Sequence, residues 1–347
     1  MSAPDDRPFR VIVVDSIEGA YVDRPDVEQH VLAGLADVEL VRVASERGLA
    51  GRLANVDAAI SWHTIALGAE TIRQMARCRG IVRAAVGYDN IDIAAARDLG
   101  IPVCNVPDYG TEEVADHTWA LLLAVVRRLT AVDRGCREGA WDWRAIGSVR
   151  RLRGERLGIV GLGRIGTAVA RRAPAFGMEV GFYDPHLPSG VDKALGIVRY
   201  ETLQDLLAAC GIVTVHVNLT DETRGLIGAD ELARMRPGAI LINTSRGLVV
   251  DQQAMVDALI RGRLGALGLD VLDGEPHVPL ELRCNDRVVL TAHSAFYSDE
   301  GLRELRVKAA EIARNLLLDQ FDRNIVNDVR RPAVDRRATA FCMELQS

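Results

Sequence analysis

The sequence predicts an α/β protein made of two doubly wound parallel-sheet domains, and three observations carry that expectation. The chain has 347 residues, too many for one ordinary hydrophobic core and suited to two domains of roughly 100 to 200 residues each. Short apolar runs alternate with helical patterns along most of it, which is the βα rhythm of a parallel sheet flanked by helices. The composition, 48% hydrophobic and 26% charged with 31 glycines and 12 prolines, is that of a packed chain and excludes a disordered or collagen-like one.

In the first half the strand-like runs are Phe9–Val14, Val38–Val43, Asp57–Ser61, Gly80–Arg83 and Ile101–Cys104. A turn at Pro107-Asp108-Tyr109-Gly110 then leads to a helix opened by Thr111. Glu112 and Glu113 stand at its start and Arg127 and Arg128 at its end, charges that suit the helix dipole without any further role. A second βα series runs from about Leu152 to Leu290. Its strand-like runs are Arg156–Val160, Glu179–Tyr183, Ile212–His216, Ala239–Asn243, Ala266–Asp270 and Val288–Leu290. A last helix is expected over Asp299–Leu318, with a pattern that fits packing on either half. The arginine-rich tail from Arg330 reads as an ordered strap or a loose end.

Charge and cysteine usage remove several classes of function. A net charge of -6 leaves no basic excess to neutralise a phosphate backbone, so nucleic acid is not expected as a direct partner. A small anion needs only one or two local arginines and stays open. The six cysteines include no C-x-x-C pair, so neither structural zinc nor thioredoxin chemistry is expected, and no metal site is assigned. Free, mostly buried thiols suit a reducing compartment. Met1–Arg10 lacks the basic and apolar regions of a signal peptide. The longest apolar run, Trp119–Val126, is far short of the roughly 20 residues a membrane helix needs. A cytoplasmic protein with no membrane partner is expected.

The chemistry begins where the first strand of the second half meets Gly161-Leu162-Gly163-Arg164-Ile165-Gly166, followed by a helical pattern over Thr167–Ala175. In a G-x-G-x-x-G turn the first glycine permits the tight bend and the second lets a pyrophosphate approach the backbone. The third lets helix and strand pack closely. The next strand ends in Asp184, at the spacing of a ribose-binding acid. A structural βα turn with an incidental acid is the competing account. A carboxylate at Asp184 would accept both ribose hydroxyls of NAD and repel the 2′-phosphate of NADP. Pro185, His186 and Leu187 supply no compensating cation, so NAD is the expected cofactor.

Hydride transfer to a carbonyl needs a proton donor and a cation for an acid group. Three later strands lead into Thr244-Ser245-Arg246-Gly247, Val271-Leu272-Asp273-Gly274-Glu275-Pro276 and Thr291-Ala292-His293-Ser294. Ligands of doubly wound sheets bind beyond the carboxyl ends of strands, so Arg246, Glu275 and His293 are expected in one crevice. Any one of them alone reads as a surface charge or a capped histidine. Arg164 and Ile165 in the glycine turn, and His216, Thr244 and Asp270 at strand ends, complete the expected cofactor contacts.

With these residues in place the chain resembles the D-2-hydroxyacid dehydrogenase family from Phe9 to about Asn327. Within it the chain is most similar to the C-terminal-binding protein branch, through Ala85-Val86-Gly87-Tyr88-Asp89-Asn90-Ile91-Asp92, Phe182-Tyr183-Asp184-Pro185 and His293-Ser294-Ala295-Phe296-Tyr297-Ser298. The resemblance implies a Rossmann NAD domain, residues 108–295, inserted into a flavodoxin-like substrate domain, residues 1–107 and 296–330, with a tail over 331–347. It also implies a homodimer built on the helix after Thr111. By resemblance, Arg246 binds the substrate carboxylate and polarises the C2 oxygen, His293 is the acid/base, and Glu275 hydrogen-bonds His293. Arg83, Val86 and Gly87 face the substrate, a small 2-oxo or 2-hydroxy acid.

There are departures from the family's pattern. Ala292 replaces a usual proline, and Phe296 stands where the animal C-terminal-binding proteins have a tryptophan, so their substrate preference does not transfer. Val86 is not the lysine of phosphite-oxidising members, and Glu275 is not the glutamine of formate dehydrogenases, so neither specialised activity is expected. Trp141 and Trp143 read as interface or packing residues, His63 as cleft-facing or a neutral hydrogen-bonded histidine, and His277 as a loop residue. The expected activity is NAD-dependent reduction of a 2-oxo acid. The alternative is an NAD-sensing dimeric scaffold, for which an intact Arg246, Glu275 and His293 would have no chemical use.

Overall fold

The structure, a computed structural model, describes residues 7–320 and 322–330, so the tail expected over 331–347 lies outside the described residues. The chain divides into two units, Met1–Gly110 with Ser298–Ser347, and Thr111–Tyr297. Both cuts fall a few residues beyond the expected ones, the first of them leaving the whole Pro107–Gly110 turn with the first unit.

The first unit carries β1 (Phe9–Ser16), β2 (Ala36–Val43), β3 (Ala58–Ser61), β4 (Ile81–Arg83) and β5 (Val103–Asn105) in the order β2-β1-β3-β4-β5, every pair parallel. Val11, Ile12, Val13 and Val14 are all fully buried. An unbroken apolar run is what a central strand covered on both faces requires, and for the same reason no alternation shows there. β2 lies at the edge and mixes exposed with buried positions. The strand order reverses between β1 and β3, so the loops after them flank the unit's topological switch point.

The helix Asp299–Leu317 belongs to this unit, which settles its ambiguous pattern. Ser298 caps it, its Oγ accepting from the Gly301 N–H at 2.8 Å. Leu305, Ala309, Ala310, Ile312, Ala313, Leu316 and Leu317 form its buried face. Arg306 binds Glu28 on helix Asp26–Val31 with both prongs of its guanidinium, Nε to Oε1 at 2.9 Å and Nη2 to Oε2 at 2.7 Å, and Glu28 is fully buried. Breaking a buried pair from one side leaves an uncompensated charge. Arg306→Ala is therefore expected to cost about 3 kcal/mol or more of stability, read as a lower urea midpoint, with Arg306→Lys in between. An unchanged midpoint in the alanine variant would show that the pair adds nothing.

The second unit carries β6 (Arg156–Val160), β7 (Glu179–Tyr183), β8 (Val198–Arg199), β9 (Ile212–Val215), β10 (Ala239–Asn243), β11 (Leu264–Leu269) and β12 (Val288–Leu290). The order is β12-β11-β10-β9-β6-β7-β8, again all parallel, with the switch between β6 and β9. One apolar cluster joins Leu206, Leu241, Met255 and Leu267, and another joins Trp119, Leu122, Ile159, Phe182 and Ile242. The helix Thr111–Arg127 stops one residue earlier than expected because Arg128 turns to a φ of 52° and opens the next helix, Leu129–Arg137.

Candidate active site

The glycine turn is built as its spacing predicts. Gly161 has a φ of +88°, and a Cβ there would lie 2.8 Å from the His216 carbonyl oxygen. A Cβ on Gly166 would meet the Gly161 carbonyl oxygen at 2.2 Å, so the helix Arg164–Arg172 can start this close to β6 only without a side chain. At Gly163 a Cβ would meet nothing within 4 Å, so open space lies where a pyrophosphate would approach. The helix begins at Arg164, ahead of the expected Thr167, which puts Arg164 and Ile165 in its first turn with Gly163 as N-cap.

Asp184 closes the other side of the turn. Its Oδ2 accepts from the Leu162 N–H and its Oδ1 from the His186 N–H, each at 3.0 Å, so the carboxylate is fixed against the glycine loop. Local sequence offered no cation here, yet β8 supplies one. Arg199 donates to the carbonyls of Asp184, Leu187 and Pro188 at 3.2, 3.1 and 3.1 Å, and its charge is met by Glu201 at 3.6 Å. It braces the loop from beneath. A dinucleotide with an unphosphorylated ribose thus fits the donors, acceptors and space present. At the end of β9, burial pushes the His216 imidazole down to about 3, so the ring is neutral, and Thr214 Oγ1 stands 2.9 Å from its Nε2.

Beyond β10, Asn243 shapes the arginine loop. Its Oδ1 accepts from the Ser245 N–H and hydroxyl at 3.0 and 2.8 Å, while its Nδ2 donates to the Arg246 carbonyl at 3.0 Å. Arg246 Nη1 donates to the Ser245 carbonyl at 2.8 Å. Gly247 passes so close to the next loop that a Cβ would sit 2.0 Å from the Leu272 carbonyl carbon. This contact sets the arginine loop beside the loop carrying Glu275. Thr244 is held from the helix Thr111–Arg127 by the hydroxyl of Thr118 at 2.9 Å.

His293 Nδ1 lies 2.8 Å from Glu275 Oε2, and Glu275 Oε1 accepts from the Leu272 N–H at 2.8 Å. Burial pushes the Glu275 carboxyl up. The His293 hydrogen bond and charge, the Leu272 N–H and the charge of Arg246 outweigh it and hold the carboxyl below the ordinary range. His293 adopts a φ of 51°, a conformation unusual for a residue with a side chain. Asp270 sustains it. Its carbonyl accepts from the His293 N–H at 2.8 Å, and its carboxylate from the N–H groups of Ser294 and Ala295 at 2.9 and 3.0 Å. The Asp270 carboxylate assigned to cofactor contact is thus engaged with the turn that presents His293.

Arg83, Val86 and Gly87 stand at and beyond the carboxyl end of β4 in the first unit. Arg83 is buried, its Nε donating to Asn90 Oδ1 at 2.6 Å, Nη1 to the Ala84 carbonyl at 3.0 Å, and Nη2 lying 2.8 Å from His63 Nδ1. Asn90 Nδ2 in turn donates to the carbonyls of Trp62, His63 and Ile65. Sequence reasoning quoted Asn90 in a motif and missed this hub. Val86 presents its carbonyl to Asn105 Nδ2 at 2.7 Å.

A dinucleotide fold with an arginine, a glutamate and a histidine on successive strand ends defines an NAD-dependent oxidoreductase. The profile described as D-isomer specific 2-hydroxyacid dehydrogenase, NAD binding domain, matches residues 119–295. A glyoxylate reductase of Korarchaeum cryptofilum is 42% identical over 291 residues, 82% of this chain and 86% of that protein. An NADPH-dependent glyoxylate/hydroxypyruvate reductase of Sinorhizobium meliloti, solved with NADP and malonate, superposes with a TM-score of 0.84 at 28% identity, over 95% of this chain and all of that one. A D-lactate dehydrogenase of Aquifex aeolicus, solved with NAD and lactic acid, does so with a TM-score of 0.79 at 29% identity, over 91% and 99%. The chain belongs to the D-isomer specific 2-hydroxyacid dehydrogenase family. It is an NAD-dependent enzyme of that family, and these findings support the dehydrogenase reading and not the scaffold one.

Proposed function

We propose that the protein reduces a small 2-oxo acid of the glyoxylate, hydroxypyruvate or pyruvate type to its 2-hydroxy acid. The single observation that carries this reading is the 2.8 Å pair of His293 and Glu275, beyond the carboxyl ends of the strands that neighbour the one leading to Arg246. Gly161, Gly163, Gly166, Arg164, Ile165 and Asp184 hold the dinucleotide, with His216, Thr244 and Asp270 bordering it. When bound, NADH supplies the hydride that reduces C2. Glu275 accepts the Nδ1 proton of His293, which leaves Nε2 to carry the proton given to the C2 oxygen. Arg246 binds the carboxylate and polarises the carbonyl. The resemblance also gives Arg83, Val86 and Gly87 to the substrate; on their own unit Asn90 holds Arg83 and Asn105 holds the Val86 carbonyl. A panel of these acids with NADH, followed by cofactor absorbance, tests the reading. A protein that binds NADH and turns over none of them sinks it.

The cofactor is NAD in preference to NADP, on the fixed Asp184 carboxylate and the committed Arg199. Wild-type protein is expected to bind NADH at least about tenfold more tightly than NADPH, a difference of about 1.4 kcal/mol. Asp184→Ser with His186→Arg should reverse the order, removing repulsion and adding a phosphate partner. Equal binding of the two by wild type would take the choice away from Asp184. Within the family we read the chain as similar to the C-terminal-binding protein branch, on the strings at 85–92 and 293–298.

A homodimer over the segment after Thr111 is supported by unused apolar surface. Helix Leu129–Arg137 buries no residue, and Leu129, Trp141 and Trp143 are 54%, 92% and 77% exposed. Sedimentation should give a dimer, lost on replacing both tryptophans by serine; a monomeric wild type rejects it. A cytoplasmic setting is supported by the unpaired thiols of Cys78, Cys104 and Cys210, all buried. No helix among the described residues is long and apolar enough to cross a membrane.

A further inference from the structure

We infer that His117, on the helix Thr111–Arg127, is a positioning residue for the proton donor, acting on His293 through Thr291 and Asp270. The inference rests on the 2-oxo acid reduction proposed above. His117 Nε2 lies 2.9 Å from Thr291 Oγ1 and 3.6 Å from Asp270 Oδ1. Thr291 Oγ1 lies 2.6 Å from the same Asp270 oxygen. Hydrogen-bond bookkeeping orders this chain. An ionised carboxylate only accepts, so the single hydroxyl proton of Thr291 goes to Asp270. The Thr291 oxygen is then left to accept, and His117 must donate from Nε2.

The end of the chain is the reacting turn. Asp270 is 3% exposed, and it gathers the N–H groups of His293, Ser294 and Ala295 in succession. A residue other than glycine at a φ of 51° is strained and persists only where its surroundings over-determine it. The Asp270 carboxylate supplies that surplus, and the hydroxyl of Thr291 fixes the carboxylate. His117 fixes the hydroxyl from the same helix whose Thr118 holds Thr244. The proton donor is thereby anchored to the helix Thr111–Arg127 as well as to its own strand end.

Loss of the brace should let the imidazole drift by a fraction of an ångström, enough to slow proton transfer without touching the glycine turn. His117→Ala is expected to lower reductive kcat about tenfold or more, while NADH affinity and the KM for the oxo acid stay within about threefold. Gln places a donating amide nitrogen where the imidazole carries Nε2, so His117→Gln should recover most of the loss. Thr291→Val keeps the shape and removes the hydroxyl. It should fall as far as His117→Ala, and the double variant should fall little further, because both break one chain. Full kcat in His117→Ala or Thr291→Val overturns the inference, as does a glutamine variant as slow as the alanine one or a multiplicative double variant. If His117→Ala does not fold, the Thr291→Val and His117→Gln proteins decide by the same criteria. A wild type inactive on every 2-oxo acid is a failure of the proposed reaction instead, and is seen before any variant is made.

Discussion

His293→Ala is expected to lower reductive turnover by about 10² to 10⁴-fold, the ordinary worth of a positioned acid. The protein should remain folded with its NADH affinity intact. The imidazole is half-buried, and the N–H groups of the turn keep their Asp270 partners after truncation. Glu275→Gln gives the sharper result. Its carboxyl, held below the ordinary range, faces the His293 ring as a negative charge 2.8 Å away. Reduction needs the imidazolium proton as hydride arrives. The reductive kcat/KM, measured at saturating NADH with the oxo acid varied, should hold at low pH and fall as pH rises and the donor's proton is lost. Oxidation of the hydroxy acid needs the neutral ring and should show the opposite limb. Without the negative charge the imidazolium is less favoured, so in Glu275→Gln the reductive fall should move to lower pH. A reductive profile that does not move, with chemistry shown to be rate-limiting, would mean that Glu275 orients the ring and does not tune it.

What could be read before the fold was known follows from how local the signals are. The strands around Val11–Val14 and Leu157–Val160 declare themselves by unbroken apolar runs because both faces of each sheet are covered. The glycine turn is legible for the same reason of locality: three glycines and the acid that follows one strand later lie in one βαβ unit. Arg246, Glu275 and His293 could be picked out because each follows a readable strand and a doubly wound sheet collects strand ends on one side. β8 was missed since two residues, Val198 and Arg199, carry no period. With it went the brace that Arg199 gives to the 184–188 loop. The amphipathic pattern of Asp299–Leu317 reveals a buried face and not what covers it, and the deciding partner, Glu28, lies 278 positions from Arg306. His117 and Thr118 sit in a stretch that reads only as helix. Their partners Thr291 and Thr244 are 174 and 126 positions away, a distance over which no sequence pattern speaks. The candidate side chains at strand ends were therefore visible, and the bonds made by Asn90, His117, Thr118 and Arg199 were not.

Arg246→Lys is expected to raise the KM for the oxo acid and to lower kcat together, with a combined loss in kcat/KM of about 10² to 10³-fold, the scale set by removing one donor at a developing oxyanion. Lysine keeps the charge, so a purely coulombic role would survive the change. The guanidinium differs in presenting a planar fork that meets a carboxylate with two parallel N–H bonds while still reaching the adjacent carbonyl oxygen. The first contact is made equally in ground and transition states and appears in KM. The second strengthens as charge moves onto the C2 oxygen and appears in kcat. The backbone should not follow the side chain. Asn243 holds the Arg246 carbonyl and the Ser245 N–H, and Gly247 packs against Leu272, so the loop keeps its course without the Nη1 bond to the Ser245 carbonyl. NADH affinity should accordingly stay within about threefold of wild type, since none of the glycine-turn groups has moved. A lysine variant with near-normal kcat and KM would show that a point charge suffices here, and the fork at Arg246 would then have no part in substrate recognition.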